Sequence, residues 1–181
     1  RMIDLMRHRG PDGDGIFSDD NCGLAHARLA ILDVVGSPQP LHGPGKVAVV
    51  NGEIYNHLSL KSPSYNYSTM GDSEIILSMH KGKGSAKDHA KWISKLDGMF
   101  AFALWSNDQL ILARDPVGIK PLMRTIVDET LVFASEAKAL RAHEAYVPEI
   151  DTLAMKARIA WEYPLDATTL FADVYQVRPG T

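Results

Sequence analysis

Arg28, Glu53 and Asp72 have the side-chain chemistry to hold a free α-amino acid. Such a ligand carries a carboxylate and an ammonium on one carbon. A guanidinium presents a planar donor fork that matches two carboxylate oxygens, and carboxylates suit the ammonium. Close to Glu53 lies a second suggestive stretch. The apolar run Val47-Ala48-Val49-Val50 ends in Asn51-Gly52-Glu53, an amide, a residue without a side chain and an acid in succession. A turn accounts for Asn-Gly but not for the carboxylate that follows. On residue types alone, Asn51-Gly52 stays open between a plain turn and a functional element. Arg28 taken singly reads as a surface arginine, and Asp72 reads equally as a helix cap.

These residues need elements to carry them. The segment 23–33 alternates as a strand, with Ala25, Ala27, Leu29 and Ile31 on one face and His26 and Arg28 on the other. Glycines and prolines make 36–45 a loop, and the next strand runs into Asn51. Residues 72–80 read as a short helix with Asp72 at or near its N-cap. A second helix spans about 86–96, with Ala86, Ala90, Ile93 and Leu96 on one side and Gly98 ending it. Residues 99–115 form a β-hairpin about Ser106-Asn107-Asp108. A strand at 131–135, a helix from Ser135, a helix from an Asp151 cap and a closing strand and turn at 174–181 follow. At the start, Arg1 to Met6 reads as the end of an amphipathic helix stopped by Gly10-Pro11. Hairpins, then helices, then more strands define an α+β fold of antiparallel sheets with helices packed outside.

With 181 residues, 45% of them hydrophobic, the chain buries a sizeable core and reads as one domain. A net charge of −3 gives no footprint for nucleic acid or an anionic membrane, and Arg7-His8-Arg9 is too short a basic run to change that. No apolar stretch is long enough to span a bilayer. A single cysteine excludes an intrachain disulfide framework and a cysteine zinc cluster, and fits a reducing compartment. No histidine pair has helical metal-ligand spacing, so no metal site is expected. Gly43-Pro44-Gly45-Lys46 lacks the spacing of a phosphate-binding loop. Cys22 reads as a small packing residue, His26 and His57 as satisfied structural histidines, and Arg7, Arg9 and Asp12 as braces for a loop near the pocket.

The fragments "RHRGPDGDG", "HARLAILD", "QPL", "VVNGEIYNH", "GDSEIIL", "LDGMFAFALW", "ARDPVGIKPL" and "FASEAKAL" stand in one order along the chain. In that order and spacing the sequence resembles the glutaminase domain of glutamine-hydrolysing asparagine synthetases, which are class II glutamine amidotransferases of the N-terminal-nucleophile type. The resemblance runs from about residue 5 to the end. It implies a four-layer α/β/β/α sandwich of antiparallel sheets. The activity it implies is hydrolysis of L-glutamine to glutamate, with ammonia passed to a C-terminal synthetase domain. By this resemblance Asn51, through its side-chain amide, and Gly52, through its backbone N–H, form an oxyanion hole. Glu53 and Asp72 would then hold the substrate ammonium and Arg28 its carboxylate, while backbone groups of Leu29, Ala30, Ile31 and Leu32 line the same pocket.

The family's nucleophile is an N-terminal cysteine whose own amine serves as base, and no residue from Arg1 onward matches it. Residues 1–181 are therefore expected to be one amidotransferase domain truncated at both ends. The ATP and magnesium sites are expected in the synthetase domain, with no cofactor in this one. The setting is cytoplasmic, and a homodimer is left open. Met123 and Gly71 depart from the family pattern, where an aromatic and a serine are commoner. Two rivals stand beside this reading: a catalytically silent scaffold of the same fold lacking the cysteine, and a glutamine-binding module.

Overall fold

The computed structural model describes residues 1–163 and 166–181. A short 3-10 helix, Asp4–Arg9, leads into β1 (Gly13–Ser18) and β2 (Gly23–Arg28), then β3 (Leu41–Gly43) and β4 (Lys46–Ile54). Three short helices follow, α1 (His57–Leu60), α2 (Ile75–Met79) and α3 (Ala86–Ile93). After them come β5 (Gly98–Ser106), β6 (Gln109–Arg114), β7 (Met123–Val127) and β8 (Thr130–Ala134). The remaining elements are α4 (Ala137–Leu140), α5 (Thr152–Trp161) and β9 (Tyr175–Gln176).

Every strand pairing is antiparallel. The ladders are β1-β2, β3-β4-β5-β6 and β8-β7-β9. The hairpin expected at 99–115 is present. Asn107 and Asp108 both take positive φ, 52° and 58°, between the paired Ser106 and Gln109. That is the two-residue turn whose twist matches its strands.

Side-chain alternation along the four-stranded sheet sorts the layers. One face presents Ala48, Val50, Phe100, Phe102 and Leu104, which pack on Ile75, Ile76 and Leu77 of α2 and on Trp92 and Ile93 of α3. The other face presents Val47, Val49 and Ala103 to Leu24 of β2 and Phe133 of β8. Beyond β7 and β8, Val127, Val132 and Val174 pack against Leu140 of α4. The order is thus helix, sheet, sheet, helix, the layering expected. Burying each large apolar side chain contributes about 1.5–3 kcal/mol, and the first of these clusters is the richest in them.

Several elements differ from the sequence reading. β2 stops at Arg28 instead of running to 33, and its buried face is the opposite one. Leu24 is buried while Ala25 is exposed, because the larger apolar side chain has more area to remove from water. β4 runs through Asn51, Gly52 and Glu53, so the Asn-Gly pair is no turn. Gly98 does not end a helix; α3 ends at Ile93 and Gly98 opens β5. The helix from Ser135 is a single turn, α4. β1, β3 and β7 were not foreseen. The glycines and aspartates of β1 resemble a loop, and cross-strand pairing makes it a strand.

Candidate active site

The strand pair β4–β5 carries the centre of the site, and two glycines allow it to close. Gly52 opposes Phe100 and Gly98 opposes Ile54, with φ of 142° and 152°. A Cβ on Gly52 would lie 2.0 Å from the carbonyl oxygen of Met99, and one on Gly98 would lie 2.1 Å from that of Glu53. No L-side chain fits either position. On the face shared with Val47 and Val49, the alternation carries Asn51 and Glu53 between the two sheets. There they line a cavity of about 860 Å³, together with Gly52.

Asn51 is the informative residue. Its Nδ2 is buried and has no hydrogen-bond partner among the described residues. Leaving such a donor unanswered costs about 1–3 kcal/mol, and a native orphan of this kind calls for an explanation. A donor held ready for charge that appears only during reaction is one.

Arg28, Leu29, Ile31, Leu32, Glu53 and Asp72 line the same cavity, so the structure brings together the residues read from three separate segments. Ala30 does not line it; its N–H donates to Asp12 Oδ2 at 2.8 Å. Asp12 is thus the loop brace expected, while Arg7 pairs with Asp4 and Asp14 and Arg9 with Glu136. Arg28 also works locally. It donates from Nη1 to the carbonyl of Val34 (2.7 Å) and from Nη2 to those of Asp33 (2.7 Å) and Leu32 (3.3 Å). Its Nε–H has no acceptor among the described residues. Asp72 is not a side-chain cap. α2 begins after Glu74, and Asp72 Oδ2 instead accepts the backbone N–H of Ile54 at 2.6 Å. That bond ties the Asp72 segment to the strand bearing Asn51 and Glu53.

Three supporting residues, Gln39, Glu74 and Asp33, were not singled out from sequence, and a fourth, His26, was read only as a satisfied structural histidine. Gln39 completes the open edge of β4, accepting from Val50 N–H at 2.6 Å and donating to the Val50 carbonyl at 2.9 Å. His26 is only half satisfied. Its Nε2 lies 2.9 Å from that same carbonyl, and its buried Nδ1 has no partner among the described residues. A carbonyl accepts only, so Nε2 carries the hydrogen and Nδ1 is a bare acceptor. Burial pushes the His26 pKa down to about 4, which keeps the ring neutral. His57, by contrast, bonds the Ile54 carbonyl at 2.9 Å. Glu74, almost fully buried, accepts from the N–H groups of Ser68 and Thr69 and from the Thr69 hydroxyl. Asp33 joins two loops, accepting the N–H groups of Gly36 and Met70. In each case at least one partner is a backbone group of another segment, which residue type does not announce.

Cys22 is a packing residue, as expected. Burial and the nearby Asp19 carboxylate raise its thiol pKa to about 11, so it stays protonated. It packs against the cluster of Leu24, Val47, Val49 and Ala103. Among the described residues no cluster of His, Cys, Asp and Glu could hold a metal ion, and no helix is long and apolar enough to cross a membrane.

A buried, unpartnered amide donor that shares one cavity with a guanidinium and two acids fits the class that removes nitrogen from an amide side chain. A family model described as "Glutamine amidotransferase domain" matches residues 1–181, and the chain belongs to that family. Within it, the chain is 37% identical to asparagine synthetase [glutamine-hydrolyzing] 1 of Bacillus subtilis. That match covers 100% of this chain and 29% of the relative. It is 44% identical to asparagine synthetase B [glutamine-hydrolyzing] of Escherichia coli, over 75% of this chain and 25% of the relative. The chain thus spans less than a third of the length of either relative. The solved structure of glutamine phosphoribosylpyrophosphate amidotransferase from B. subtilis superposes with a TM-score of 0.65. It covers 82% of this chain and 41% of that one at 23% identity, which establishes a shared fold.

Proposed function

We propose that residues 1–181 are the glutaminase domain of a glutamine-dependent amide-forming enzyme of the asparagine synthetase type. The observation that carries this reading is the buried, unpartnered amide of Asn51 in the cavity lined by Arg28, Glu53 and Asp72. Arg28 takes the α-carboxylate of L-glutamine, and Glu53 and Asp72 take its ammonium. This places the side-chain amide under Asn51 and Gly52. A thiol from outside residues 1–181 attacks the amide carbon, and the carbonyl electron pair moves onto oxygen. Asn51 Nδ2–H and Gly52 N–H receive that charge. The tetrahedral intermediate collapses with loss of ammonia to a γ-glutamyl thioester, which water cleaves to glutamate. Cys22 is unsuited to the attack by its protonation.

The size of the relatives supports a further, synthetase domain outside these residues, to which the ammonia passes; ATP and magnesium belong to that domain. The single cysteine agrees with a cytoplasmic setting. The test is glutamine hydrolysis by the full-length protein and its Asn51→Ala variant. The oxyanion exists only along the reaction path, so kcat falls by about 100 to 1,000-fold while KM changes little. Equal effects on kcat and KM would remove Asn51 from this role. Glutamine binding by calorimetry with no turnover in the wild type would favour a binding module instead.

A further inference from the structure

The two halves of the pocket, Arg28 with its loop and Asp72 with its own, lie on segments far apart in sequence, and the structure stitches them together at two points. The first is Asp33. Its Oδ1 accepts Gly36 N–H at 2.9 Å, closing a local turn. Its Oδ2 accepts the Ser37 hydroxyl at 3.0 Å and, across the gap, the N–H of Met70 at 2.9 Å. The carbonyl of Asp33 accepts from Arg28, and the residue sits at a positive φ of 46°. The second point is Gly71. A Cβ there would fall 2.4 Å from Ser37 Oγ and 3.2 Å from Ser37 Cβ, so the two segments meet closely and the Ser37 hydroxyl, which donates to Asp33, must turn away to admit a side chain. The links run on from Met70 to Asp72, and from Asp72 to Ile54 N–H beside Glu53.

From this ring of contacts we propose that Asp33 is a positioning residue: it sets the separation of Arg28 from Asp72, and so the fit of a head group bearing carboxylate and ammonium on one carbon. The inference rests on the glutaminase reading of the pocket. Asp33 itself touches no substrate; it acts through the guanidinium whose loop it folds and the segment it tethers. A change in this spacing alters ground-state capture of glutamine, while the oxyanion donors on β4 stay in place.

Asp33→Asn in the full-length protein separates the roles. The amide oxygen can still accept Gly36 N–H, whereas the amide nitrogen turns a donor toward the Met70 N–H and breaks the tether. KM for L-glutamine should rise about tenfold, the loss of one charge-assisted hydrogen bond, with kcat within about twofold of wild type. Gly71→Ala attacks the same joint independently and should raise KM likewise. Adding Ser37→Ala, which clears the Oγ in its way, should bring KM back down. If Asp33→Asn does not fold, the Gly71→Ala pair decides. KM unchanged in both, or kcat falling as much as KM rises, overturns the inference while wild-type turnover leaves the glutaminase reading intact. Absence of glutamine hydrolysis by the wild type removes that reading, and this inference with it.

Discussion

At the scale of the residue, the site is a set of donors and acceptors whose partners explain what each can do. Arg28 is more committed than its residue type shows, because three carbonyls of its own loop already occupy part of its fork. Arg28→Lys supplies charge without that planar geometry. We expect KM for glutamine to rise at least about tenfold and kcat to stay within about threefold, measured by steady-state ammonia release. An equal fall in kcat would place the guanidinium at the reacting centre instead. That Arg28, Glu53 and Asp72 would share one cavity was legible, because the proposed head group calls for those residue types together. Asp33, Gln39 and Glu74 were not legible, since each answers backbone N–H groups brought near only by folding. Asp72 was legible for its charge and misread for its contact. A cap and a cross-link to Ile54 look alike until the strand is in place.

At the scale of the element, local signals carried the hairpin and two helix starts. Ser85 and Asp88 form a reciprocal capping box at α3, and Asp151 Oδ1 accepts the N–H groups of Leu153 and Ala154 at 2.9 Å at α5. Asp151→Ala should lower stability by about 1 kcal/mol, read as a drop of roughly 2–4 °C in Tm. Glutamine turnover should be unaltered, because α5 contributes nothing to the pocket walls. A loss of turnover larger than the loss of folded protein would show that α5 communicates with the site. Where local signals failed, pairing decided. β1 is a strand through its register with β2, and β4 passes straight through Asn51-Gly52 because glycines at 52 and 98 let β5 lie close.

At the scale of the whole molecule, the four layers bury imidazoles as well as hydrocarbon, and that links stability to pH. Burial lowers the pKa of His26 and of His80 to about 4 from an ordinary 6.5; the charges of Arg28 and of Lys46 and His89 add to the effect. Between those two values the unfolded chain binds more protons than the folded one. The contribution of these rings is therefore complete above about pH 6.5 and is lost as pH falls toward 4. Denaturant midpoints measured from pH 8 to 4 should be level down to about 6.5 and then decline. His80→Gln should flatten part of that decline, and an unchanged slope would show that His80 is not among its causes. The layering itself could be anticipated from the order of hairpins and helices. Which face of β2 turned inward could not, because it depended on the neighbour Leu24 would meet.

The amide of Asn51 has an implication for anyone engineering this domain. A dehydrated donor with nothing to bind is a liability in the resting molecule, and an apolar replacement would relieve it. Selection on heat tolerance alone would therefore tend to discard the group proposed to receive the oxyanion, so a hardier variant should be retained only after its turnover has been checked.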